Sequence, residues 1–456
     1  MPALDLALNN GRVALSDGRI ARVNVGVRDG RIATITDEAL DAERTLDVEG
    51  LVVLPGLVDQ HFHSWWGHED WETHTCATRA AAKGGVTSLV EMPLDMPLTI
   101  TAQALHDKLA IVGGDYYVDY AAFGGYLDTD PDEIARMAEA GVVAFKLFTG
   151  DVAPPGVWPG TPDGQALDMM RRVAHEGRTL VAHCENADLV EFETARLQAE
   201  GRDGSTAWDE ARPWFAEVDA VQRLALLAEV TGCRTVIAHL PTPRCVEAVR
   251  DARKRGADVW AETCPHQLCV TREDMTDTRF KWNPPTRDRA AVDRLWQMLA
   301  AGEIHSIGSD HAPLAKKPGA NIWDQNPGAG NVLETMLPVV ASEAHERGIV
   351  GLPRLVEVLA TTPAKLFGLY PRKGAIQVGA DADFAVIETT ARRTVDAREL
   401  EFHNEASRWS PYEGRAVSFF PVYTILRGET IFAEGEVTGE PGYGRFLAAD
   451  ADRTAA

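Results

Sequence analysis

Cysteine is scarce in this chain and poorly spaced for cross-linking. Six occur in 456 residues, at Cys76, Cys184, Cys233, Cys245, Cys264 and Cys269, and none forms a C-x-x-C pair. Disulfide frameworks belong to short secreted domains, so this distribution argues against one and fits a reducing compartment. Positive charge is also short: 45 Lys plus Arg stand against 68 Asp plus Glu, a formal net charge of −23. A surface of that sign repels phosphate backbones and anionic headgroups, which sets aside nucleic acid and membrane as partners. No apolar run approaches the roughly 20 residues of a bilayer span, and no charged-then-apolar export signal opens the sequence. A cytoplasmic location is the expectation. A Gly-rich phosphate turn after an early strand is missing too, which disfavours a dinucleotide-binding open sheet. What remains, 45% hydrophobic and 25% charged residues, is the make-up of an ordinary globular protein long enough to bury a large core.

The pattern along the chain divides it in three. Residues 1–54 read as short strands with turns at Asp17-Gly18 and Asp29-Gly30. From residue 51 apolar runs alternate with amphipathic stretches, and the runs are 51–58, 87–92, 117–123, 142–148, 179–183, 234–239, 257–262 and 303–308. Helical patterns lie between them, for example Asp132–Ala140 and Val218–Val230. Eight strand–helix repeats over this length predict an α/β fold, a (β/α)8 TIM barrel spanning 55–368. After residue 368 the texture returns to strands, at 384–387, 422–426 and 430–432. The simplest arrangement pairs 1–54 with 369–456 in one small β-sandwich domain built from both termini. The Pro/Gly-rich stretch Pro154–Gly164 follows the fourth strand and is a candidate lid.

Ligand-type residues stand at the ends of the predicted strands. Asp59-Gln60-His61-Phe62-His63 follows the first run, and residues two apart on a strand point the same way, so His61 and His63 present two imidazoles together. His183 closes the fifth run, His239 the sixth, and Asp310 follows the eighth. Barrel active sites gather at these C-terminal strand ends. Four histidines and a carboxylate suit a divalent cation such as zinc. Lys146 lies inside an apolar strand, where an amine must lose its charge, find a partner such as Glu91 or Glu262, or be modified. Reaction with carbon dioxide would make it a carbamate, an anion able to bridge two cations about 4 Å apart.

These motifs together resemble the cyclic amidohydrolases, the group of hydantoinases, dihydropyrimidinases, allantoinases and dihydroorotases. The resemblance runs through Pro55-Gly56-Leu57-Val58-Asp59, Ala80–Thr87, Glu91-Met92-Pro93, Ala144-Phe145-Lys146 and His183-Cys184-Glu185-Asn186. It continues in Glu262-Thr263-Cys264-Pro265-His266, Pro284–Asp288, Ser309-Asp310-His311 and Gly379–Asp383. It implies that His61, His63 and Asp310 hold one metal, His183 and His239 the other, and carboxylated Lys146 bridges them. It also implies a homo-oligomer, tetramer or dimer. The implied reaction opens a cyclic amide: a hydroxide shared by two cations attacks a ring carbonyl, with Asp310 shuttling its proton to the leaving nitrogen. A metal-free scaffold relative is the reading from another class, and the filled ligand set opposes it. A mononuclear deaminase on the same barrel would lack the bridging lysine.

Two further absences bear on the ring. Dihydroorotases carry an arginine just after the His-x-His, where this chain has Ser64-Trp65-Trp66. D-type hydantoinases place a tyrosine shortly after the modified lysine, where this chain has Leu147-Phe148-Thr149-Gly150. Asn283-Pro284-Pro285 points the other way, toward the dihydroorotase form of that loop. The nearest pattern is that of allantoinases and L-type hydantoinases, so a five-membered ureide is expected, with a six-membered ring as the alternative. Asn283 and Asn331 are candidates to hydrogen-bond the ring amide, and Trp65, with Trp66 and Trp158, to line an apolar pocket.

Overall fold

The central strands close into a barrel, as seen in a computed structural model that describes residues 3–64, 71–127, 130–150 and 158–449. We number its strands β1 (Leu57–Phe62), β2 (Val86–Glu91), β3 (Asp119–Gly125), β4 (Ala144–Phe148), β5 (Thr179–His183), β6 (Thr235–Ile237), β7 (Val259–Thr263) and β8 (Ser306–Ile307). Each pairs in parallel with the next. At the seam the Ser309 amide donates to Asp59 of β1 at 2.8 Å, and Phe62 bridges His311. The eight strands thus form a nearly closed barrel.

Period-two alternation explains the layers. On β4, Phe145 and Leu147 join the core between strands and helices, while Ala144 and Phe148 belong to the barrel interior with Val90, Ala121, Phe123, Val181 and Val236. Lys146 shares the inward parity of Ala144 and Phe148. Leu366 and Phe367 join the interior core at the opposite end, where Thr179 at the start of β5 donates to the Leu366 carbonyl at 2.7 Å. The polar strand ends are therefore left to the other rim.

The run 51–58 is two strands, not one. Val52–Pro55 belongs to a flanking sheet and β1 begins at Leu57. The turn between them needs Gly56, because a β-carbon there would collide with the Thr87 side chain. His61 consequently lies inside β1 and His63 just beyond it.

The flanking region holds a four-stranded sheet, in the order Arg31–Thr36, Asn24–Arg28, Leu6–Asn9, Arg44–Asp47, and a seven-stranded one. In the latter the C-terminal strands Phe420–Leu426 and Phe384–Glu388 continue into Val52–Pro55 and Arg12–Ala14. Leu6, Leu8, Val25 and Val27 face Val13, Val53, Phe384 and Val386 across the sandwich core. The alternate residues Val52, Leu54, Ala385 and Ile387 face the barrel. That double burial is why these strands read as unbroken apolar runs.

One polar cluster ties the two parts together. The buried Lys373 amine sits 2.6 Å from Asp119 of β3, 2.7 Å from Asp383 and 3.0 Å from Asp381. Arg427 pairs with Asp119, and Arg372 with Asp381. Among the described residues no helix is long and apolar enough to cross a membrane.

Candidate active site

All six ligand-type residues line one cavity at the C-terminal rim, about 520 Å³ including its open mouth. Its remaining described wall is Leu94, Phe148, Trp282, Asn283, Ala312, Pro327 and Gly328. The register of β1 against β2 shifts between Asp59 and Phe62. Such a bulge re-aims side chains, and here Gln60 and His61 both reach Glu262 at the end of β7.

Glu262 is the hub beneath the histidines. It accepts from His61 Nδ1 at 2.7 Å, from the His239 backbone amide at 3.1 Å, and from Gln60, which also reaches Ser306 at 2.6 Å. A proton held on His61 Nδ1 leaves Nε2 as a lone pair, 3.4 Å from Asp310 Oδ1. Glu185 acts likewise on the other side: it accepts from His183 Nε2 at 2.6 Å and from Arg212 at 2.5 Å. His183 Nδ1 then faces His239 Nε2 at 3.0 Å. His63 Nε2 lies 3.8 Å from Asp310 Oδ1, and its Nδ1 lies 3.6 Å from Asp95. His61 Nε2 and Asp310 are thus acceptor turned toward acceptor, an arrangement that a cation between them satisfies.

Burial reinforces this. It drives all four imidazoles below their ordinary range, His63 to about 4, so they are neutral electron-pair donors at neutral pH. It raises the Asp310 carboxyl to about 6, although His63 and Lys146 oppose the shift. It lowers the Lys146 amine to about 8 despite the nearby charges of Glu262 and Asp310. Lys146 Nζ has no hydrogen-bond partner and sits 5.0 Å over the Phe148 ring. Neither carboxylate suggested as its partner is available: Glu262 is taken as described, and Glu91 accepts from Ser64 at 2.9 Å in a separate buried cluster with His74.

The backbone at the rim is also constrained. His239 and Asp310 adopt positive φ, 43° and 50°, a region that non-glycine residues enter at a cost of about 1–2 kcal/mol. Ser309 helps to hold the second turn, its hydroxyl donating to Asp59 at 2.5 Å while its backbone amide donates to the same carboxylate.

The other sequence candidates separate. Asn283 lines the cavity. Asn331 does not: it is fully buried, and its amide donates to the Glu401 carbonyl at 2.7 Å, which ties down the segment before the helix Met336–Arg347. Trp65 and Trp66 lie outside the described residues, as does the 154–157 part of the 154–164 loop. Trp158 packs on Phe148, centroids 5.8 Å apart, behind the wall. Arg287, four residues after Asn283, is locked by Asp209, Glu217 and the Arg212 carbonyl. Sequence reading passed over Glu262 and Glu185 as orienting groups, and over Trp282 and Leu94 as wall. The only signal for Glu262 was a carboxylate ending an apolar strand.

A sequence profile of the amidohydrolase family matches residues 52–431. The chain is 34% identical to an L-hydantoinase of Paenarthrobacter aurescens over 458 positions, covering 97% of this chain and 98% of that protein. It is equally 34% identical to an allantoinase of Escherichia coli (strain UTI89 / UPEC) over 438 positions, covering 94% and 95%. Among solved structures it superposes on the L-hydantoinase (dihydropyrimidinase) from Arthrobacter aurescens with a TM-score of 0.92 at 33% identity, covering 98% and 100%. A D-hydantoinase structure gives 0.89 at 29% identity, with the same coverage.

Proposed function

The chain belongs to the amidohydrolase family, and from that premise we propose that it opens five-membered cyclic ureides, of the hydantoin and allantoin type, at a binuclear metal site. It is a hydrolase of carbon–nitrogen bonds in cyclic amides, and its family is metal-dependent. The observation that carries the binuclear reading is the Lys146 amine, buried without a partner among five other ligand-type side chains around one cavity.

His61, His63 and Asp310 would hold one cation, His183 and His239 the second, with Lys146 between them. Zinc suits these nitrogen and oxygen donors. As a neutral amine Lys146 would attack carbon dioxide: a nitrogen–carbon bond forms as one carbon–oxygen π bond opens, one nitrogen proton leaves to solvent, and the carbamate would offer two oxygens that share one negative charge. The bound cations supply Lewis acidity, acidifying water and polarising the ring carbonyl. Glu262 and Glu185 keep the ring protons of His61 and His183 on the nitrogens facing away from the cavity. Asp310 takes the proton of the attacking water on a carboxylate oxygen and returns it to the leaving ring nitrogen. Asn283 hydrogen-bonds the ring amide, while Phe148 and Trp282 exclude water from the face they cover.

The wall supports the choice of ring. A carboxylated ring needs a cationic partner when buried, and no arginine lines the cavity among the described residues. Leu94, Phe148, Trp282 and Pro327 favour an apolar substituent on the ring. We divide the chain into the barrel, 55–368, and a flanking domain from 1–54 and 369–456, and assign it to the cytoplasm as a homo-oligomer. The test is a panel of hydantoin, 5-benzylhydantoin, allantoin, dihydrouracil and dihydroorotate on zinc-loaded protein. The expected kcat/KM for the best five-membered ureide exceeds that for dihydroorotate by about 10² or more, on the order of 3 kcal/mol. Equal values would overturn this choice of ring.

A further inference from the structure

We propose that Cys264, His266 and Asp310 form a third cation site, selective for thiophilic divalent ions and inhibitory when filled. Cys264 is the first residue beyond β7, and His266 lies in the short helix Pro265–Cys269 that follows. One donor atom from each of Cys264, His266 and Asp310 lies within 4.8 Å of the others. Cys264 is completely buried, and so, within 1%, is His266.

His266 is the second observation. Its Nδ1 is sealed from water with no hydrogen-bond partner, and the ring rests against Trp282 at 5.1 Å between centroids. A buried polar atom left without a partner is costly to the fold. Neither Cys264 nor His266 has a part in the reaction above or in the two cation positions proposed there. A sulfur, a nitrogen and an oxygen together suit zinc or cadmium, and the sulfur discriminates against magnesium, calcium and manganese. Asp310 lines the cavity while the other two lie behind it, so an ion reaches them past that carboxylate. On binding, the Cys264 S–H bond breaks, a sulfur–metal bond forms and the proton leaves to solvent. The imidazole and one Asp310 oxygen donate lone pairs without losing a proton. An Asp310 engaged in this way cannot carry protons, so the inhibitory half of the proposal rests on the role given to it above. The binding half does not.

The experiment titrates cadmium into enzyme already carrying two zinc ions per chain. Sulfur-to-cadmium charge-transfer absorption, metal content after desalting and hydrolysis are followed in the wild type, Cys264→Ser, Cys264→Ala and His266→Ala. In the wild type we expect a third equivalent, a new near-ultraviolet band and progressive loss of turnover. Both Cys264 variants keep two zinc ions and turnover but gain neither band nor inhibition, and His266→Ala weakens the third site by about 10–100-fold. A band of undiminished size in both Cys264 variants, or no third equivalent in the wild type, overturns the site. A third ion that binds through Cys264 without slowing turnover leaves the site standing and overturns the inhibition together with the proton role of Asp310.

Discussion

Lys146 and Lys373 are both withdrawn from water, each about 1% exposed, and their surroundings are opposite. Lys373 lies between barrel and flanking sheets with three carboxylates within 3.0 Å, and these hold its amine above the ordinary lysine range even though burial alone would lower it. Lys146, at the other rim, has no partner, and burial brings its amine down. Lys373 stays an ammonium and acts as a pin. Lys146 is readily neutral, which is the form that reacts with carbon dioxide. A buried lysine alone therefore says little about function; the carboxylates around it decide.

The widest break in this comparison comes from removing each amine. Lys146→Ala should lose activity by at least about 10⁴-fold, on the order of 5 kcal/mol, together with at least one metal, and short carboxylic acids should partly restore it. Metal-free Lys146→Met should melt no lower than the wild type, because no partner is orphaned. Full turnover with two metals in Lys146→Ala would remove the difference between the two lysines.

Lys373→Met should do the reverse. It leaves Asp119, Asp381 and Asp383 facing one another, and breaking a buried pair costs about 3–5 kcal/mol. Urea unfolding should show this loss, while the folded fraction keeps its metals and its KM. A variant as stable as the wild type would show that Arg427 and Arg372 suffice.

Glu262→Gln tests why Lys146 is left unpaired. The nearest candidate carboxylate is already held by His61, His239 and Gln60. An amide still accepts one hydrogen bond but no longer carries the charge that fixes the His61 tautomer. Metal affinity should fall by about 10–100-fold, read by competition with a chelator. Unchanged affinity would show that His61 is oriented by its strand alone.

How far these roles could be read beforehand differs from residue to residue. The barrel was legible because its strands are buried, mainly apolar runs between recognisable helices. The ligands were legible because strand ends in a barrel converge whatever their separation in sequence. Glu262 was not, since its contact with His61 spans 201 positions and a single glutamate has no periodicity. The break at Gly56 was hidden because both strands beside it are buried on two faces. Asn331 and Asn283 look alike in the sequence, and only packing sends one amide to Glu401 and the other to the cavity.

The smallest expected effect is a pH dependence confined to Lys373. Its amine faces Asp119, Asp381 and Asp383, with Arg372 and Arg427 on the same carboxylates, and its folded-state pKa stands above the ordinary 10.5. A group raised in this way adds stability that is fully present below its unfolded pKa and is lost as pH rises toward the folded value. The wild type should therefore lose its advantage over Lys373→Met on the alkaline side only. Above pH 10.5 the unfolded chain releases the proton that the folded chain still holds. Between pH 10 and 11.5 the gap should narrow by about 1 kcal/mol, given about 1.4 kcal/mol per proton and pH unit. Tyrosines and other lysines titrate in the same window but in both proteins, so the difference between their urea curves isolates Lys373. A gap that stays constant from pH 8 to 11.5 would mean that the amine is no better held folded than unfolded, and the pin would have to be credited to the arginines.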